Sequence, residues 1–138
     1  MDNFSDIDSI DDSAKELVND HITKARESMA RGQDFDIALY ATTHDVVAFL
    51  IPDSLRAIAG EQSHEQVAGI LNRALTVIKC WIEEVIAEFE VDEDYWEGQG
   101  EGLKVMFAGF IDYQLKAPKG QRMIWWTGKR FISETDLG

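Results

Sequence analysis

Apolar residues recur at helical spacing along most of this chain. The clearest run is Val67, Ile70, Leu71, Ala74, Leu75, Ile78, Trp81, Ile82, Val85, Ile86 and Phe89. That is the i, i+3, i+4, i+7 pattern of a helix whose face turns toward a core. Just ahead of it, Ser63 and Gln66 have capping-box spacing: the hydroxyl takes the backbone N–H three residues on, and the longer side chain reaches back. The pattern predicts a helix from Ser63 to about Glu90, the longest of the chain, with Ile78, Trp81, Ile82 and Val85 at its buried centre. Val77 and Ala87 widen its apolar face. Such a surplus suits either a central pillar covered on all sides or the seam of a homodimer.

Three further segments share the pattern. Ser13 and Glu16 have capping-box spacing at the start of a helix from about Asp12 to Arg31, closed by Gly32. Asp34 caps a second, Phe35 to Ile51, which Pro52 stops. Its tail, 46–51, reads as helix or buried strand, and continuous helical spacing favours helix. Gly98, Gly100 and Gly102 read as a flexible joint, after which Leu103 to Lys116 is amphipathic, with Leu103, Met106, Phe107, Phe110, Ile111 and Leu115 inward. Residues 121–132 read as a short hairpin turning at Gly128, or as a last helical turn. The expected fold is therefore mostly all-α: a small helical bundle around a long central helix, with a short C-terminal β-hairpin. Residues 13–138 form a single helical domain behind a flexible acidic arm at 1–12.

With 45% apolar residues in 138, the chain can bury a core without staples. Its one cysteine, Cys80, lies in an apolar-periodic stretch and reads as a buried, inert thiol. No apolar run approaches the ~18 residues that span a bilayer. The N-terminus is acidic where a signal peptide is basic and then apolar. A cytoplasmic protein with no membrane partner is expected.

Charge changes the picture more than composition does. The formal net charge is −13, and between Glu83 and Glu101 there are nine acidic residues and no Lys or Arg. The C-terminal segment is basic (Lys104, Lys116, Lys119, Arg122, Lys129, Arg130), and it either neutralises the acidic run or lies on another face. Dense carboxylates repel phosphate and attract cationic surfaces. Direct nucleic-acid binding is therefore not expected, and a basic protein partner is. The candidate partner-binding residues are Glu88, Glu90, Asp92, Glu93, Asp94, Tyr95, Trp96 and Glu97. Trp96 is the expected exposed anchor, because its sequence neighbours are charged and tryptophan is enriched at interface hot spots.

No motif for catalysis, cofactor or metal matches this signal. His64-Glu65 opens like a zinc-protease motif, but Ala68 stands where the second ligand belongs. His21, His44 and His64 fall in separate segments. Asp92-Glu93-Asp94 opens like a calcium loop, but Glu97 replaces the required glycine and Leu103 the closing glutamate. The Gly98–Gly102 stretch lacks the positive field of a phosphate cradle. Asp53-Ser54-Leu55 resembles the phosphopantetheine serine of acyl carrier proteins, and the resemblance ends at those three residues. No Ser/His/Asp or Cys/His signature is present, so no catalytic, cofactor-binding or metal residues are assigned and no enzyme is expected. The reading is a non-enzymatic interaction or inhibitor protein that binds a basic, nucleic-acid-handling protein. Phage-encoded phosphate mimics that inhibit host defence and toxin-neutralising immunity proteins both fit that physics. The alternative is an assembly subunit that self-associates through the long central helix.

Overall fold

The computed structural model describes residues 12–60, 62–116 and 124–133. The acidic arm lies outside them, apart from Asp12. Four helices run up and down: α1 (Asp12–Ala30), α2 (Phe35–Ala59), α3 (His64–Glu88) and α4 (Glu93–Lys116). An antiparallel hairpin follows, β1 (Ile124–Trp126) and β2 (Phe131–Ser133), in which Trp126 faces Phe131. This is the mostly α bundle with a short C-terminal hairpin that the pattern predicts, and 46–51 is helix.

The turns follow from local chemistry. Gly32, at φ +98°, occupies the left-handed region that closes α1. Its N–H donates to the Met29 carbonyl and that of Gln33 to the Ser28 carbonyl, the two bonds of a Schellman close. The Asp34 carboxylate then accepts from the Asp36 and Ile37 N–H groups and starts α2. Ser63 and Gln66 make both bonds of the capping box that begins α3. At the same end as Ser63, α1 is already helical at Asp12, so Ser13 lies inside it.

Helix α3 is the pillar. It packs against α1, α2, α4 and β2, and Leu71, Val77, Ile78, Trp81 and Val85 are sealed from solvent. Trp81 donates its indole N–H to the Thr43 hydroxyl at 2.8 Å, and Thr43 in turn donates to the Leu39 carbonyl. The largest core side chain therefore leaves no polar atom unpaired. Cys80 is buried, as expected. The hairpin is pinned to α3 by one side chain: Asn72 donates to the Phe131 carbonyl and accepts from the Phe131 N–H, as a neighbouring strand would.

Several expectations need correction. Helix α3 has 25 residues, and so does α2, which runs straight through Pro52. The missing N–H falls on the solvent face, beside exposed Ala48. The cost of roughly 3 kcal/mol is offset by burying Ser54 and Ala57 beyond it. Ser54 is sealed and donates to the Leu50 carbonyl, so it offers no hydroxyl for a prosthetic group. The apolar face of α3 is consumed by its internal partners, which leaves only Gly69 and Ala87 as exposed nonpolar positions. Met106 and Phe110, expected to point inward, are exposed.

The glycine-rich stretch is not a joint. Gly98, Gly100 and Gly102 lie within α4, and Gly100 is buried against α3. A Cβ there would stand 2.8 Å from Ile82 Cγ1, whereas one at Gly98 would meet nothing within 4 Å. The two positions therefore respond oppositely to alanine. Gly98→Ala is expected to stabilise by about 0.5–1 kcal/mol through helix propensity. Gly100→Ala is expected to destabilise by about 1–3 kcal/mol through overpacking. Denaturant midpoints of the two variants check this, and equal shifts of one sign would contradict it.

Candidate functional site

The short turns joining α1 to α2 and α3 to α4 lie at the same end of the bundle. Two contacts fix this: Phe35, opening α2, meets Phe89, closing α3, edge to face at 5.9 Å, and Arg26 of α1 pairs with Glu88 of α3 while lying over the Phe89 ring. That end gathers Asp34 and Asp36 from the first turn with Glu88, Glu90, Asp92, Glu93, Asp94 and Glu97 from the second, all exposed. Asp92 caps α4 by accepting from the Tyr95 N–H. Glu88 has Arg26 as its counter-ion. Among the described residues, Glu90, Glu93, Asp94 and Glu97 meet no cation.

Helix stability accounts for only part of this charge. Asp36, Glu93 and Asp94 sit in first turns, where the macrodipole favours anions. Helix α3 ends on Glu84 and Glu88 with no basic residue in its last turn, the sign that the dipole disfavours. Of the described basic residues of the C-terminal segment, Lys104 pairs with Glu101 within α4. Lys129 and Arg130 ride on the hairpin beside Asn72, roughly 24 Å along α3 from Glu88 at 1.5 Å per residue, and neither is ion-paired with Glu90, Glu93, Asp94 or Glu97.

Trp96 is the main correction to the site. It is only 4% exposed and belongs to the core. Because α4 begins at Glu93, Trp96 falls within its first turn on the face toward α2, where Tyr40 stacks on it at 5.3 Å. It cannot serve as an exposed anchor. Tyr95, 49% exposed, stands on the outer side of the same turn, and Phe35 and Ile37 are exposed at the start of α2. The exposed apolar side chains at this end are therefore Tyr95, Phe35 and Ile37; Tyr40 and Trp96 lie against Tyr95, and Phe89 against Phe35. The acidic run alone does not point to Phe35, Asp36 or Ile37. A second signal in the chain does: short turns make consecutive helices antiparallel, which brings the first and third turns to one end.

The Tyr40 and Tyr95 hydroxyls are hydrogen-bonded to one another. That bond holds the Tyr40 phenol in its protonated form and pushes its pKa from 10.0 up to about 12, with burial and the nearby Tyr95 and Asp36 adding to the shift. A raised folded-state value means that the stabilising contribution is complete below the unfolded value and is lost as pH rises through the folded one. The window is therefore pH 10.0 to about 12. Ultraviolet titration of tyrosinate is expected to show one late phenol. Tyr95→Phe removes the second hydroxyl and is expected to return Tyr40 toward the ordinary value near 10. An unchanged late phenol in that variant would contradict the assignment.

A cleft of about 570 Å³ lies elsewhere, among α1, α2 and α3. Its walls carry charges of both signs, Asp20 and Asp53 with Lys24 and Arg73. Buried His21 reaches its edge, with Nδ1 donating to the Leu17 carbonyl and its ring set edgewise on Trp81 and Phe49. The described residues hold no group of three His, Cys, Asp or Glu able to bind a metal, and no described helix is long and apolar enough to cross a membrane. Compared with known proteins, the chain matches no family model, no curated protein and no solved structure at a significant level.

Proposed function

We propose that this chain is a non-enzymatic, cytoplasmic interaction protein whose acidic pole engages a basic, nucleic-acid-handling protein. It would act as a phosphate mimic does in phage-encoded inhibitors of host defence, or as an immunity protein does against a toxin. The observation that carries the reading is the convergence of two turns that place unpaired carboxylates around an exposed Tyr95, Phe35 and Ile37. Charge of one sign steers a cationic partner and raises the association rate. A small aromatic centre, dry once covered, gives the complex its lifetime. Carboxylates at Glu93 and Glu97 repeat one helical turn apart, about 6 Å along the axis, which a surface built to track a charged backbone can accommodate.

The reading is tested by capturing binding partners from a host extract depleted of nucleic acid, then challenging the complex with duplex DNA. A nucleic-acid-handling protein released by DNA is expected, because mimic and nucleic acid compete for one groove. A partner that remains bound under saturating DNA would count against phosphate mimicry.

A further inference from the structure

Six exposed positions run down the second half of α4 without a charge among them: Gly102, Val105, Met106, Gly109, Phe110 and Tyr113. They repeat at i, i+3, i+4, i+7, i+8 and i+11, the spacing by which one helix packs against another. Four of the six are large and apolar or aromatic, from Phe110 at 42% exposed to Tyr113 at 61%. Asp112 stands half-buried at one margin, and Lys104 lies on the opposite side of the helix. A face this apolar is costly to leave in water.

The two glycines add a separate argument. A Cβ at Gly102 or at Gly109 would meet nothing within 4 Å, whereas Gly100 on the opposite face is held to glycine by Ile82. Packing inside the chain makes no demand for glycine at 102 or 109. Close approach of a second helix backbone does.

Charge selects the occupant and its direction. The first turns of α4 carry Glu93, Asp94, Glu97 and Glu101. The hairpin with Lys129 and Arg130 packs on α3 and on α4, and Asn72 holds it. Since Ile82 faces Gly100 across the antiparallel pair, Asn72 is level with the far half of α4. A parallel pairing of two α4 helices would lay acid against acid. An antiparallel two-fold pairing carries each acidic start toward the basic hairpin of the other copy. We propose that this face of α4 is the interface of an antiparallel two-fold dimer of this chain. The proposal rests on a different face of α4 from the acidic-pole reading but draws on the same carboxylates, Glu93, Asp94 and Glu97; Met106→Lys and Tyr113→Lys leave those carboxylates in place, so the two readings fail separately.

One helix face is smaller than a standard interface of about 800 Å² per partner, so self-association is expected in the micromolar range. Sedimentation velocity over a concentration series is expected to show the mass rising from 15.6 kDa toward twice that value. Met106→Lys and Tyr113→Lys, both at exposed positions, are expected to give monomers with unchanged helical circular dichroism. Spin labels on Glu97→Cys, in a Cys80→Ala background, report direction. Antiparallel pairing centred between Met106 and Gly109 separates them by about 30 Å, and parallel pairing by about 10 Å. A monomer at the highest concentration would overturn the proposal and leave the face to a different protein. A dimer that survives both lysines would overturn the location, and a short label distance the direction.

Discussion

Ile82→Asp is expected to cost at least about 4 kcal/mol, a large part of the roughly 5–15 kcal/mol that holds a domain of this size together. Ile82 is buried on α3 and forms the wall against which Gly100 of α4 is pressed. A carboxylate there loses its water at a buried position of the apolar core. It also separates the α3–α4 pair, and with it the turn that carries Glu90 to Asp94. Denaturant unfolding followed by circular dichroism measures the effect. The adjacent Glu83→Lys, on the exposed side of the same helix, is expected to stay within about 0.5 kcal/mol of the parent. Similar midpoints for the two variants would remove Ile82 from the core.

The second large effect concerns rate. Reversing Glu90, Asp94 and Glu97 to lysine is expected to slow association with the cationic partner by about 10- to 100-fold at low salt. All three are exposed and none is ion-paired, so their contribution to stability is small. Asp94 contributes most of it, because it sits in the first turn of α4, where the helix dipole stabilises an exposed carboxylate by no more than about 1 kcal/mol. Melting temperature and association rate are therefore expected to separate. Near 1 M salt, where the screening length falls to about 3 Å, parent and variant are expected to converge. Tyr95→Ala is expected to act instead on dissociation, at about 2 kcal/mol for a central aromatic anchor. A salt-independent rate in the parent would mean that the pole does no steering.

Most of the fold was legible because amphipathic periodicity and capping chemistry are local. The Ser63–Gln66 box and Gly32 mark helix ends that the structure reproduces. Misreadings came where a local rule met a tertiary contact. Pro52 and the glycines of α4 are helix breakers by propensity, and packing outweighed both. Taking the glycines as a joint hid the stripe Trp96, Gly100, Phe107, Ile111, all buried on one face of α4. Read as one helix, that spacing places Trp96 in the core. Charged sequence neighbours are no guide to burial on a helix, where adjacent residues point about 100° apart. The Asn72–Phe131 clasp spans 59 residues and has no local signal at all. The acidic run was plain in the sequence, and its partners in space, Asp34, Asp36 and Phe35, became visible only when the two turns came together.

The most direct test of the acidic pole compares two variants of equal net charge in one capture experiment. One carries lysine at Glu90, Asp94 and Glu97, and the other at Glu16, Asp20 and Asp45, which are exposed on α1 and α2 outside the pole. Bound proteins are quantified for both against the parent at physiological salt. The expected result is that the pole variant loses the partner while the matched variant keeps it. Equal loss from both would reduce the interaction to net charge alone, and retention by the pole variant would contradict the assignment of this surface.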